Sequence, residues 1–206
     1  MAERLTESPN GQDPYDVSPD GTRLVFKERF PNTGWDLMVL TLDKQRQVKP
    51  LVRTNFNEVT AALSPDGRWL AYQSDESGRY EIYIRPFPDA DSNRWTISNG
   101  GGIMPLWSRG GDELFYVGQS GPQSWALMRV EIARAASFSH GMPQKLFDWH
   151  YQMSSSTNLG RTYDISPDGR RFIVIKQATR SEQTAPPSLI VVQNWFEELK
   201  KLAPAR

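Results

Sequence analysis

The chain has 206 residues, with Lys plus Arg and Asp plus Glu equal at 24 each, so its formal net charge is zero. That length suits one domain with a sizeable core. The charge balance excludes a general electrostatic pull toward nucleic acid or an anionic membrane. Cysteine is absent, which excludes disulfides, thiolate metal sites and a cysteine nucleophile without assigning a compartment. No apolar run approaches the roughly 18 residues that span a bilayer, and the first residues lack the apolar core of a secretory signal. The mean hydropathy of −0.59 suits strands with a solvated face or edge.

In chain order, residues 3–8 resemble the fourth-strand segment Arg94–Ser98, and are expected to be the last strand of a preceding blade. Four similar units follow, at about 13–53, 57–97, 103–147 and 161–193. Each carries a turn tetrapeptide. Ser-Pro-Asp-Gly stands at 18–21, 64–67 and 166–169, and a worn copy, Ser-Arg-Gly-Gly, at 108–111. In each unit a strand enters this turn and an apolar strand leaves it (Leu24–Glu28, Trp69–Ser74, Glu113–Val117, Phe172–Gln177). A polar or Gly-bearing turn then leads to a third strand (Trp35–Leu42, Tyr80–Pro86, Trp125–Ile132, Leu189–Gln193). A short fourth strand closes each unit. The spacings between turns are 46, 44 and 58 residues, and the excess falls in the polar stretch before the fourth unit. Last, Asn194 and Glu197 form a capping box for a helix over 195–202 with Phe196, Leu199 and Leu202 on one face.

A strand-and-turn repeat of this period is the signature of β-propeller blades. The expected fold is therefore all-β: four blades of four antiparallel strands, part of a six- to eight-bladed ring, with a short C-terminal helix. The turn residues are explained by geometry. Pro presets φ and Gly supplies positive φ, so Asp20 with Gly21, Asp66 with Gly67 and Asp168 with Gly169 are turn formers before they are functional groups. Trp35, Trp69, Trp107 and Trp125 recur on strands and are expected to pack blade against blade.

Ser-Pro-Asp-Gly followed by an apolar strand ending in Phe or Tyr, and then a strand such as Glu81-Ile82-Tyr83-Ile84, resembles the TolB-like or PD-type relatives of WD-repeat propellers. The run from Leu189 to Leu199 resembles the end of large bacterial proteins in which a propeller follows a Ser/Thr kinase or a transcription-regulator-like domain. The resemblance implies a sensing or protein-binding module. It transfers no catalytic residue, because neither a Gly-rich nucleotide loop nor kinase signatures occur here.

A search for chemistry leaves little. No Gly-x-Ser-x-Gly elbow is present. His140 reads as a loop residue and His150 as a packed or surface one, which makes a poor start for zinc. The run Asp89–Asn93 alternates oxygen donors but lacks the Gly and terminal Glu of a calcium loop. Gly100–Gly102 precedes a strand, so no helix dipole awaits a phosphate. No cofactor is expected.

Ligand contacts are instead expected where the loops between blades gather at a channel mouth, at Asp13, Asn57, Glu58 and Arg161, whose mixed charge suits a protein or peptide. A detached sensor domain and a propeller hydrolase or peptidase accessory domain are the alternatives. No segment assigns a compartment; in a longer parent protein the module would stand in the periplasm or elsewhere outside the cytoplasm. A ring of four blades that does not close exposes apolar edges, so the isolated chain should self-associate. Light scattering is expected to report oligomers; one sharp monomeric species with a cooperative melt would contradict this.

Overall fold

The computed structural model describes residues 3–133, 137–153 and 160–176, and the backbone of a strand at 190–192. The helix expected over 195–202 lies outside the described residues. Four antiparallel sheets follow one another along the chain. The first contains β1 (Gln12–Val17), β2 (Arg23–Phe30), β3 (Gly34–Thr41) and β4 (Val48–Val52). The second contains β5 (Glu58–Leu63), β6 (Trp69–Ser74), β7 (Glu81–Pro86) and β8 (Trp95–Thr96). The third contains β9 (Gly102–Trp107), β10 (Glu113–Gly121), β11 (Ser124–Glu131) and β12 (Gln144–Asp148). The fourth has, among the described residues, three strands, β13 (Tyr163–Ile165), β14 (Phe172–Val174) and β15 (Ile190–Val192). Within every sheet the strands lie in chain order, as in propeller blades.

The turn between first and second strands is built the same way three times. Ser18 Oγ donates to Asp20 Oδ1 (2.6 Å) and accepts from Arg23 N (2.9 Å), while Gly21 N donates to the Ser18 carbonyl (2.7 Å). Ser64 with Asp66, and Ser166 with Asp168, repeat the pattern. In the worn third copy Ser108 Oγ donates instead to Asp112 (3.0 Å), so an acid two residues later takes the missing role. The Ser18 hydroxyl and then the Thr22 N–H hold the Asp20 carboxyl down at about 2. These acids are ionised parts of the turn.

Alternation along each strand assigns side chains to two neighbouring blades. On β6, Leu70 and Tyr72 join the layer shared with the first blade, where Val25, Leu37 and Leu63 lie, whereas Ala71 faces the third. On β10, Leu114 and Tyr116 face the second blade, and Phe115 and Val117 meet Tyr163, Ile165 and Phe172 of the fourth. Period-2 apolar strands thus have both faces covered. Trp107, on β9, is buried and its Nε1 donates across the blade boundary to the Ala62 carbonyl (3.1 Å).

Residues 3–8 join none of these four sheets. The segment is polar, and side chains tether it: Arg46 pairs with Glu3 (2.6 Å), and Ser8 Oγ donates to Glu28 (2.5 Å).

The first strands β1, β5 and β9 are irregular. Their pairing slips by a bulge between Pro14 and Asp16, between Val59 and Ala62, and opposite Tyr116. Thr60 (φ 53°) and Met104 (φ 58°) enter the left-handed region there, which costs an L residue roughly 1–2 kcal/mol. The bulges free backbone groups that adjacent blades use. Met104 N donates to Gln73 Oε1 (3.0 Å), and Tyr163 Oη donates to the Met104 carbonyl (2.8 Å).

Two substitutions separate turn from core. Gly67 has φ 70°, so Gly67→Ala should cost about 1 kcal/mol in denaturant unfolding. Leu70 is fully buried, and Leu70→Ala should cost about 2–5 kcal/mol.

Candidate functional site

Loops between blades are anchored by acids on the neighbouring strands. Glu28 of β2 accepts from Ser8 Oγ, Asn10 Nδ2 (2.9 Å) and Gln12 Nε2 (2.9 Å). Burial would raise its carboxyl, but the three donors outweigh it and hold Glu28 below the usual range. Glu81 of β7 accepts from the Ser98 hydroxyl and from the N–H groups of Gly100 (3.0 Å) and Gly101 (2.8 Å). Glu58, at the start of β5, accepts from Thr54 Oγ1 (2.6 Å) and Ser74 Oγ (3.3 Å).

Two buried acids, Glu58 and Asp36 of β3, are only half satisfied. Among the described residues Glu58 Oε2 and Asp36 Oδ1 have no hydrogen-bond partner, which is costly for ionised carboxylates. Burial first, opposed by the Thr54 hydroxyl and reinforced by Asp36, lifts Glu58 to about 7. Burial likewise raises Asp36, although Arg53 Nε lies 3.3 Å from its Oδ2.

Two cavities lie against the first strands of the blades. One, of about 380 Å3, is lined by Pro14, Tyr15, Thr60 and Ala61 and by 160–164 and 173–175. The other, of about 350 Å3, includes Asp16, Leu106, Arg109 and Asp164. Arg161 borders both. Its Nη1 donates to the Pro105 carbonyl (2.9 Å), and among the described residues it has no other hydrogen bond or ion pair. Burial raises Tyr15 to about 12, opposed by the nearby Thr60.

The four residues expected at the channel mouth do not form one cluster. Asp13 pairs with the buried Lys27 (3.3 Å), whose Nζ sits 4.2 Å from the Trp35 ring centre. Asn57 ties three segments: its N and Nδ2 donate to Asp75 (both 2.8 Å) and its Oδ1 accepts from Trp35 N (3.2 Å). Gly34, at φ 91°, is required opposite it, since a Cβ there would meet Asn57 Oδ1 at 2.6 Å. Asn57 and Glu58 therefore brace the loop, and Arg161 alone of the four borders the cavities. His150 is exposed and the neighbouring Asp148 pairs with Lys145 (2.6 Å), while His140 Nδ1 contacts the Gly141 carbonyl (2.8 Å). Among the described residues no group of three His, Asp or Glu could hold a metal ion.

Sequence reasoning missed Asp16 and Asp164. A signal existed: Tyr-Asp-Val-Ser-Pro-Asp-Gly at 15–21 and Tyr-Asp-Ile-Ser-Pro-Asp-Gly at 163–169 place an acid two residues before the turn in the first and fourth blades alone.

Blades of this form, packed face to face in succession, define a β-propeller fold, and the similarity is to TolB-like propellers. TolB from Acinetobacter baumannii superposes with a TM-score of 0.68 at 19% identity over 93% of this chain and 43% of that one. An oligogalacturonate lyase in complex with manganese gives 0.62 at 15% identity, covering 95% and 54%. A puromycin-hydrolyzing peptidase of Mycobacterium tuberculosis gives 0.60 at 22%, covering 80% and 28%. The chain thus spans less than half of the TolB chain. No family model and no curated protein matches the sequence. Among the described residues no helix is long and apolar enough to cross a membrane.

The Glu58 environment predicts a pH effect. Its folded value exceeds the ordinary 4.5, so its contribution to stability is full below that value and is lost as pH rises through about 7. Glu58→Gln should flatten the decline in denaturation midpoint between pH 5 and 8; an unchanged decline would assign it to other groups.

Proposed function

We propose that this propeller is a non-catalytic module that binds a protein or peptide at these cavities, with Arg161 in contact with the ligand. Asp13, Asn57 and Glu58 then act as supports that keep the surrounding loops in place. The observation behind this reading is the pair of cavities joined at an exposed guanidinium that has no ion-pair partner among the described residues. Their volumes fall in the range of ordinary ligand sites, and the mixture of one cation with Asp16 and Asp164 suits a peptide better than a polyanion. A sensor module attached to a bacterial signalling kinase or regulator would use the same binding.

The similar structures include a lyase and a peptidase beside TolB, and a fold shared at such low identity carries no reaction with it. The test is a selection from a displayed peptide library against the full chain, followed by titration calorimetry and a generic esterase and peptidase screen. A saturable peptide ligand without turnover is expected. Turnover that disappears in His150→Ala would replace this reading with a hydrolase.

A further inference from the structure

Asp16 and Asp164 occupy the same position in the first and fourth blades, two residues before the turn. Each accepts from the next backbone N–H through Oδ1 (Val17 N and Ile165 N, both 2.8 Å). They differ at the second oxygen. Asp16 Oδ2 accepts from Leu63 N (2.9 Å), a backbone amide of the extended strand β5 beside it. Asp164 Oδ2 has no such donor among the described residues. The filled site shows what the open one is shaped to receive: an extended strand that delivers an N–H.

The surroundings add two requirements. Beside Asp164 the cavity wall carries Ile173 and Ile175, the latter half exposed, which favours apolar side chains on the strand. Arg161 borders the same cavities with its single bond to a carbonyl, leaving guanidinium N–H groups without a carboxylate among the described residues. Arg is suited to carboxylate capture by a planar pair of donors.

We propose that this site selects an extended acidic peptide, whose carboxylate side chain pairs with Arg161 and whose backbone N–H is accepted by Asp164. This deepens the binding reading above and rests on it. Arg161 and Asp164 both border the two cavities, so one extended segment can reach both.

The test uses the full chain and two fluorescein-labelled peptides of equal length and apolar pattern, taken from the library selection and bearing Glu or Lys at one central position. Fluorescence anisotropy should show the Glu peptide binding about tenfold more tightly. Arg161→Ala should abolish the preference, and Arg161→Glu should reverse it toward the Lys peptide. Asp164→Ala should weaken both peptides alike, whereas Asp164→Asn, which keeps an acceptor oxygen, should restore them. Arg161 is exposed, so these variants should melt as the parent does.

Equal affinity for both peptides, or a preference for Glu that survives Arg161→Glu, would overturn the inference while leaving peptide binding intact. If no selected peptide binds at all, the binding reading itself fails. Self-association that Arg161→Glu abolishes would assign this face to a second copy and overturn the peptide.

Discussion

Leu70 and Tyr72 of β6 enter the layer shared with the first blade while Ala71 enters the layer shared with the third, and the rest of the fold depends on this division. A strand between two neighbouring blades has no face to leave to water. Burying a large side chain such as Leu70 contributes roughly 1.5–3 kcal/mol, and it can be gained only when the next blade is in place. The structural unit is therefore the interface between blades. This explains why the apolar clusters straddle sheet boundaries.

Stacking creates a second problem at the axis, where the first strands converge. The strand backbone must bend there, and Thr60 and Met104 do so in a conformation unfavourable for side chains with a Cβ. The cost is offset because the bulge turns N–H and C=O groups toward adjacent blades. Met104 receives Tyr163 from one side and is joined to Gln73 on the other. The same irregularity shapes a cavity wall, since Thr60 and Ala61 border the larger cavity. Strain, blade adhesion and the candidate site share one stretch of chain.

The acids divide by environment. Asp20 and Asp168, at exposed turns, are surrounded by hydroxyl and N–H donors and stay ionised. Glu58 has too few donors for its burial and is lifted to about 7. Conspicuous repetition marked the turn acids, yet the acids that hold the loops, Glu28, Glu58 and Glu81, show no shared sequence position. Each meets donors 4–20 residues away in sequence, a relation that only pairing of the strands creates. Asp16 and Asp164 were legible in principle, because they repeat in phase with the turn.

The sequence by itself determined the all-β class, the turns and the alternation of the blade strands. These rest on local constraints: positive φ at Gly67, a serine hydroxyl within reach of an aspartate, and period-2 apolar residues. It could also place Arg161 beside a connection between blades. Only the tertiary structure decided that Arg161 borders both cavities while Asp13, Asn57 and Glu58 are engaged elsewhere. Their partners Lys27, Asp75 and Ser74 come from other strands and loops. Such contacts follow from strand register and from which blades become neighbours, and no local pattern of residue types encodes them.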